Sequence, residues 1–407
     1  MPHHPVSHRH RTLAALVGVL CSFPALAAPN EAQQEDGVRP FAGIGWTYDD
    51  NLLRVADDEP AFDGQRSDAY RTLDAGVLVN QAFGRQRLAA TARVSKVTFD
   101  HFDGLDCDGR DLQASWHWQA GRRFEGRADA LYIKTLAPYT DVDSDGRNLR
   151  EQRRQVIDAG WKVHPSWKLR VGAVRDKVSY ELLAQRYNDR TEKTPEAELL
   201  YRPRSGSSVG VVARRVKGSH PYRRPYNSSV LTDDFTQDEL KARIDWLASG
   251  STTVQALAGY TRREQPSYGA GGTNGFTGRL TALYKPVGKL DYSATLWREF
   301  APIESPSVSF TLNRGASLQA TWLASDRIKV EASAAYERRD YTARTVFAGS
   351  GELDDSIRSA SVRALWQLRS RVQLVAAYAY QARSGSPALG TGKFDANMVQ
   401  LSANMLF

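Results

Sequence analysis

The sequence predicts an all-β fold, a transmembrane antiparallel up-and-down β-barrel of about eighteen strands. Three observations support this prediction. Apolar and polar residues alternate with a period of two along most of the chain, as they do where successive side chains of a strand point to opposite faces. The connections between the alternating segments are short and long in turn. Aromatic residues of the apolar face gather at the segment ends, where a barrel meets the two membrane surfaces.

The alternation is clearest at the end of the chain. Val399, Leu401, Met405 and Phe407 share one parity, and polar residues occupy most of the other. This segment resembles the closing strand of bacterial outer-membrane barrels, and we expect it to pair with the first strand, near residues 41–48. The predicted strands are, in order, 40–48, 70–83, 86–100, 111–120, 123–134, 153–163, 166–178, 196–203, 207–216, 236–248, 251–263, 275–285, 288–300, 307–322, 327–341, 357–368, 371–382 and 396–407.

The connections and the aromatic residues predict which end of each strand faces the periplasm. Outer-membrane barrels have tight turns on the periplasmic rim and long loops outside. At the short-turn ends lie Phe83, Trp118, Phe124, Trp161, Trp167, Trp246, Tyr284, Trp322, Trp366 and Phe407. At the long-loop ends lie Trp46, Tyr48, Tyr132, Tyr260, Phe276, Phe300, Phe310, Tyr336 and Tyr378. Arg314 alone breaks the outward apolar pattern, and either it reaches the lipid headgroups or a bulge at Gly315 turns it away.

Composition excludes one class of membrane protein. The chain has 41% hydrophobic and 25% charged residues, and after residue 28 no stretch approaches the roughly 20 apolar residues of a membrane helix. Residues 1–28 are expected to be a secretory signal peptide, because Arg9 and Arg11 precede an apolar segment that ends in Ala25-Leu26-Ala27. Residues 29–407 would then form the barrel, in the bacterial outer membrane.

The exported chain would carry one thiol and an excess of basic residues. Only Cys107 remains after the signal peptide is removed, so no internal disulfide and no cysteine-based zinc site is possible. The formal charge of +8 falls to about +6. Because export from the cytoplasm makes nucleic acid an implausible partner, we expect outer-membrane lipid and lipopolysaccharide phosphates, or an acidic polymer, in that role.

The sequence predicts no enzyme and no cofactor. The histidines are scattered, and none has the spacing of metal ligands or of a hydrolytic site. Asp141, Asp143 and Asp145 resemble the front of a calcium loop. The glutamate required at the twelfth position of that loop is Gln152. The alternative is an ordinary acidic loop on the surface, and the residue pattern favours it.

The inward parity carries charges of both signs. Its basic members are Arg87, Arg93, Arg127, Arg170, Lys241, Arg243, Arg279, Lys329 and Arg363. Two interpretations remain open: ion pairs that stiffen the wall, or a hydrated conduit that selects anionic or polyhydroxylated solutes. Barrels of roughly 16–18 strands enclose an aqueous channel. Long loops such as 49–69 or 217–235 could fold inward as plugs.

The loop after the ninth predicted strand is basic and aromatic. Tyr222, Arg223, Arg224 and Tyr226 could contact sugar rings or lipid phosphates. The alternative is a loop exposed to solvent without a binding role.

The first strand and the residues after it resemble a known family. Asp50-Asn51-Leu52-Leu53-Arg54 follows a strand that begins at Arg39, and this opening is similar to that of the exosortase-associated outer-membrane barrels of exopolysaccharide gene clusters, within a broader group of β-barrel porins. The hairpin from Leu105 to Gly121 is also similar, although Cys107 stands where an aromatic residue is usual.

The resemblance implies a part in exopolysaccharide biosynthesis or export, as a conduit or a component of a secretion complex with periplasmic partners. It implies no catalytic residues. The alternative is a general or substrate-selective solute porin unconnected with polysaccharide. A surface adhesin or structural barrel is a third possibility.

Overall fold

The computed structural model describes residues 36–140, 144–226, 229–265, 273–286, 288–302, 308–343, 353–386 and 391–407. The predicted signal peptide lies outside these residues. The strands are β1 (Gly37–Asp49), β2 (Asp68–Phe83), β3 (Gln86–Phe99), β4 (Cys107–Ala120), β5 (Phe124–Leu136), β6 (Leu149–His164), β7 (Trp167–Tyr180), β8 (Arg190–Tyr201), β9 (Ser208–Ser219), β10 (Arg224–Tyr226), β11 (Ser229–Leu231), β12 (Phe235–Leu247), β13 (Thr252–Glu264), β14 (Thr273–Tyr284), β15 (Leu290–Pro302), β16 (Val308–Leu323), β17 (Ile328–Ala343), β18 (Asp354–Arg369), β19 (Val372–Arg383) and β20 (Phe394–Leu406).

Eighteen of these strands form one closed antiparallel sheet, which confirms the predicted fold class and strand number. The strands β10 and β11 form a separate hairpin, so β9 pairs directly with β12. Three short 3₁₀ segments lie in the loop residues that the structure describes, at Phe62–Gly64, Asp103–Leu105 and Leu183–Asn188. Among the described residues, no helix is long and apolar enough to cross a membrane.

The last strand closes the barrel on the first, as predicted. Phe41 lies opposite Leu406, and Asp49 lies opposite Met398. The Phe407 N–H donates to the Pro40 carbonyl oxygen at 2.9 Å, which extends this pairing by one residue. The sheet therefore has no open edge, and every strand finds hydrogen-bonding partners on both sides.

The outer surface of the barrel is apolar and carries two aromatic girdles. Leucine and valine side chains such as Leu73, Val171 and Leu240 are more than half exposed, which a protein surrounded by water would avoid on this scale. Exposed aromatic residues lie near the short turns (Trp161, Trp167, Trp322, Trp366) and near the long loops (Tyr260, Phe276, Tyr336, Tyr378). These are the features of a barrel that spans a bacterial outer membrane, with its short turns in the periplasm.

Arg314 is one of several exposed cations of the outer face, among them Lys193 and Arg338, so the prediction that it alone breaks the apolar pattern was wrong. Arg314 does point outward, and its Nη2 lies 2.6 Å from the Asp340 carboxylate. Strand pairing is regular through Gly315, so the bulge considered there does not exist. Phe310 was predicted to belong to the outer aromatic girdle, and this was wrong. Because the register shifts between Val308 and Thr311, Phe310 is buried, and its ring packs on the Arg263 guanidinium at 4.6 Å.

Candidate functional site

The nine basic residues proposed from sequence all lie on the inward-facing parity of their strands. Eight of them form ion pairs with acidic residues that also face inward. The pairs are Arg93–Asp111, Arg127–Asp129, Arg127–Asp158, Arg170–Glu196, Arg170–Glu198, Lys241–Glu239, Arg243–Glu198, Arg279–Glu299, Lys329–Glu331 and Arg363–Glu331. Arg87 is exposed near the periplasmic rim and forms no ion pair with the residues that the structure describes. The role of all nine in solute passage stays a prediction.

On one side of the lumen the ion pairs connect into a chain that crosses several strands. Arg170 on β7 pairs with Glu196 on β8 at 2.9 Å, and Glu196 pairs with Arg214 on β9 at 2.5 Å. Arg214 continues to Glu239 on β12 at 3.4 Å, and Glu239 to Lys241 at 3.0 Å. Cations and anions therefore alternate around this wall. Such a wall offers hydrogen-bond donors and acceptors but little net field, which favours the ion-pair interpretation over an anion-selective one.

The ion pairs at the extracellular mouth of the lumen are almost completely buried. In the middle of the barrel the exposure varies around the wall: the side chains of Arg279 and Glu299 are 29% and 35% exposed, whereas those of Lys241 and Glu239 are each 7% exposed. Arg54 in the loop after β1 and Arg383 at the extracellular end of β19 are each 3% exposed, and their acidic partners are fully buried. The lumen is thus open to solvent along part of its middle and packed at its mouth.

The Asp-Asn-Leu-x-Arg stretch forms a tightly bonded turn at this mouth. The Arg54 Nη1 and Nη2 atoms donate to the two Asp49 carboxylate oxygens at 2.8 and 2.9 Å. Asn51 accepts from the Val55 N–H at 2.9 Å and donates to the Asp395 carbonyl oxygen at 3.1 Å. Arg54 has a φ of +58°, a conformation that non-glycine residues adopt at a cost. The bidentate ion pair holds this turn against that cost.

Asp50 joins the same turn to the last strand. Its two carboxylate oxygens accept hydrogen bonds from the Asn397 N–H at 2.6 Å and from the Asn397 side-chain amide at 2.7 Å. Arg54 Nε also donates to Gln381 of β19 at 3.1 Å. The stretch that carried the family resemblance therefore anchors the first extracellular loop across the seam where the barrel closes.

An apolar core fills the mouth beside this turn. Leu52, Leu53 and Val55 come from the loop, and each is at most 5% exposed. They pack on inward-facing side chains of neighbouring strands and loops: Tyr70, Val97, Phe99, Phe102, Leu105, Cys107, Leu136, Tyr139 and Leu149. The sequence left open whether the loop 49–69 folds inward, and the structure places its apolar residues inside the mouth. The first loop folds inward because its apolar residues can be removed from water there.

A second loop, between β5 and β6, also reaches into the mouth. The backbone oxygen of Thr140, between β5 and β6, accepts a hydrogen bond from Arg383 Nη1 on β19 at 2.5 Å. Arg383 also pairs with Asp355 at 2.5 Å and donates to the Tyr341 hydroxyl at 3.2 Å. β19 lies six of the eighteen strand positions away from β5, so the contact bridges about a third of the wall.

The basic and aromatic loop is only partly described. Tyr222 and Arg223 are exposed, and the side chains of Arg224 and Tyr226 lie outside the described residues, as do Asp141 and Asp143. Asp145 is exposed. Among the described residues, no group of three or more potential ligands could hold a metal ion.

His220, at the base of that loop, was not singled out by its sequence. Its backbone N–H donates to the Asp234 carboxylate at 2.6 Å, and its Nδ1 lies 3.8 Å from the same carboxylate oxygen. Burial lowers the pKa of His220 to about 4. The positive charges of Arg190 and Arg263 also lower this pKa, whereas the carboxylates of Asp233 and Asp234 raise it. The imidazole is therefore neutral at physiological pH.

No family model matches this chain, and no curated protein sequence matches it. Several bacterial outer-membrane proteins of known structure are similar to it in three dimensions. OccK2 of Pseudomonas aeruginosa, solved with glucuronate, is 12% identical with a TM-score of 0.48 over 91% of this chain and 98% of that one. OccAB3 of Acinetobacter baumannii is 11% identical with a TM-score of 0.46, over 91% and 99%. The ferric-catecholate receptor Fiu of E. coli K12 is 9% identical with a TM-score of 0.46, over 92% and 82%.

Proposed function

We propose that this outer-membrane barrel is a porin for small polar solutes, with an extracellular mouth narrowed by inward-folded loops. The observation that carries the proposal is the contrast in exposure along the lumen. The Arg279–Glu299 pair in the middle remains in contact with solvent, whereas Arg54 and Asp49 at the mouth are buried. A hydrated interior behind a constriction is the arrangement of a selective channel.

The charge pattern of the wall favours neutral or zwitterionic solutes over simple ions of either sign. The basic residues predicted to line the wall between β5 and β12 are Arg127, Arg170, Lys241 and Arg243. Each of them has an acidic neighbour within 4 Å. A solute that carries both donors and acceptors can replace its hydration shell along such a wall. An anion gains little there, because the neighbouring carboxylates cancel the attraction of the cations.

The same packing weighs against a polysaccharide conduit. A polymer would have to pass the apolar core around Leu52 and Leu105, whose side chains are almost fully buried. No contact among the described residues favours the polysaccharide interpretation. Unchanged polysaccharide secretion after deletion of the gene would agree with the porin proposal.

Conductance in planar bilayers and swelling of proteoliposomes test the proposal. We expect the wild-type protein to admit small neutral sugars and amino acids, and to show a reversal potential near zero in a salt gradient. Replacement of residues 51–66 by a short glycine–serine linker should raise the conductance. If neither protein conducts, and neither admits sugars, the porin proposal is wrong.

A pair of substitutions tests the role of the wall. Glu299→Gln leaves Arg279 unpaired in the lumen, so the reversal potential should shift toward anion selectivity. Glu264→Gln removes an acid of the outer face, where it pairs with Arg262, and should leave selectivity unchanged. Equal behaviour of the two variants would contradict conduction through the lumen.

A further inference from the structure

The outward face of three adjacent strands carries cations and no acids. On β7, β8 and β9 the outward parity includes Arg175, Lys177, Lys193, Arg215 and Lys217, and every other outward residue of these strands is uncharged. All five side chains are exposed. We call these five residues the basic patch.

The pairing register places like charges of the basic patch side by side. Arg175 lies directly opposite Lys193, and Lys193 lies directly opposite Lys217. Lys177 lies opposite Arg153 of β6. Directly opposed side chains on one face have Cβ atoms about 4.5–5.5 Å apart, and like charges at that separation destabilise the sheet.

Ion pairs within the chain relieve little of this repulsion. Arg215 pairs with Asp238 of β12 at 2.5 Å, and Arg153 pairs with Glu151 at 2.6 Å. Arg175, Lys177, Lys193 and Lys217 form no ion pair with any described residue. A partner from outside the chain that carries several negative charges would convert this repulsion into attraction.

The position of the basic patch along the membrane normal indicates which anionic partner it meets. Trp167 and Tyr201 belong to the periplasmic girdle, and their rings lie 4.9 Å apart. On β7, Arg175 follows Trp167 by eight residues on the same outward face, and on β8, Lys193 precedes Tyr201 by eight residues. With a rise of about 3.3 Å per residue and a tilt of about 40°, the cations stand roughly 20 Å above the girdle. The apolar band of an outer-membrane barrel is about 25 Å tall, so the cations reach the headgroups of the outer leaflet.

We propose that the basic patch binds the phosphate groups of a multiply phosphorylated glycolipid in the outer leaflet. Side-by-side cations can share the oxygens of one phosphate, and the next pair along the sheet can hold a second. The apolar surface below the patch, with Leu169, Val171 and Leu199 exposed, accommodates the acyl chains. This inference is independent of the proposed solute and of whether the lumen conducts.

The barrel supplies a matched control at the same level. Arg314 and Arg338 are also exposed, outward and directly opposite each other, but each has an acidic partner: Arg314 pairs with Asp340 at 2.6 Å, and Arg338 pairs with Asp354 at 2.5 Å. This region is already neutralised by the chain itself. Neutral substitutions in it should not affect lipid binding.

The test compares Lys177→Gln/Lys193→Gln with Arg314→Gln/Arg338→Gln in nanodiscs of phosphatidylcholine that contain diphosphorylated or dephosphorylated lipid A. Native mass spectrometry counts the bound lipid, and heat-modifiable migration on gels verifies folding. We expect the wild type to prefer the diphosphorylated form, the first variant to lose at least about tenfold in affinity, and the control to change less than about twofold. Equal losses, or no preference for the phosphorylated lipid, would overturn the proposal.

Two further measurements distinguish a lipid phosphate from free phosphate as the ligand, and test whether like-charge repulsion in the basic patch lowers stability. Inorganic phosphate should not displace lipid A, and displacement at equal concentration would indicate a general anion site instead. In neutral detergent without lipid A, Lys193→Gln should raise the melting temperature because it removes two like-charge contacts. In the presence of lipid A the same substitution should lower it. A destabilised variant under both conditions would contradict the inference.

Discussion

The ion pair between Arg54 and Asp49 should control whether the first loop stays in the mouth of the barrel. Arg54→Ala leaves the Asp49 carboxylate fully buried without its partner. Removing one member of a buried pair costs about 3–5 kcal/mol, and the backbone strain at residue 54 remains, because alanine also disfavours a positive φ. We therefore expect the loop to open without unfolding of the strands.

Hydrogen exchange measures that opening directly. The amide of Leu52 donates to the Arg66 carbonyl oxygen, and that of Val55 donates to the Asn51 side chain. If the free energy of local opening falls by about 3–5 kcal/mol, exchange of these amides should accelerate roughly 10²- to 10⁴-fold. Conductance should rise in parallel, because the mouth loses its constriction.

Arg71→Ala is the matched control for this prediction. Arg71 lies near the same rim and pairs with Asp100 at 2.8 Å, but the two side chains are 66% and 45% exposed. An exposed pair of this kind contributes about 0–1 kcal/mol, so exchange of Leu52 and Val55 should hardly change. Protection of these two amides in a folded Arg54→Ala variant would refute the assignment of Arg54 as the anchor.

Three further predictions concern the loop base, the wall and the core of the mouth. Burial lowers the pKa of His220 from 6.5 to about 4. Stability is therefore lost as the pH falls from 6.5 to about 4, by up to about 3 kcal/mol, because the unfolded chain binds a proton before the folded one does. Hydrogen exchange of the loop amides at pH 7 and pH 4 measures this loss, which His220→Gln should abolish. Gly315→Val places a side chain where the Trp297 indole lies, and should destabilise the barrel by about 1–3 kcal/mol in guanidinium unfolding. A Cβ atom at Gly45 would lie 3.7 Å from its nearest neighbour, so Gly45→Ala should leave the free energy of unfolding unchanged. Cys107 is buried in the apolar core of the mouth and should resist maleimide in the folded wild type but react faster once Arg54→Ala loosens the loop; equal labelling rates would contradict a shared core.

The architecture was predictable because a transmembrane strand records its two environments residue by residue. The outward positions must be apolar in lipid, so the alternation at Val399 to Phe407 indicated both the strand and its face. Even the weakest predicted segments, 196–203 and 207–216, correspond to β8 and β9. Register errors were confined to places such as Phe310, where an irregularity changes the parity over a few residues.

The mouth was less predictable because its determinants are contacts between distant segments. The sequence does contain a signal that could have indicated the inward fold: on the inward parity, polar residues give way to Tyr70, Val97 and Phe99 near the long loops. Apolar residues that face a lumen require something apolar to cover them. The ion pairs of the wall were equally hidden, since the spacing of Arg170 and Glu198 in sequence does not show that they meet at 2.7 Å.

Both loops that narrow the mouth depend on the same strand. Gln381 of β19 accepts a hydrogen bond from Arg54 of the first loop, and Arg383, two residues further along the same inward face, donates to Thr140 of the second. The two loops therefore share one rigid attachment at the seam beside β20, where the barrel closes. A disturbance of β19 at this height would release both loops together, whereas loss of Arg54 alone leaves the second loop attached. Opening of the mouth is thus expected to occur in two separable steps, the smaller of which is the one that Arg54→Ala produces.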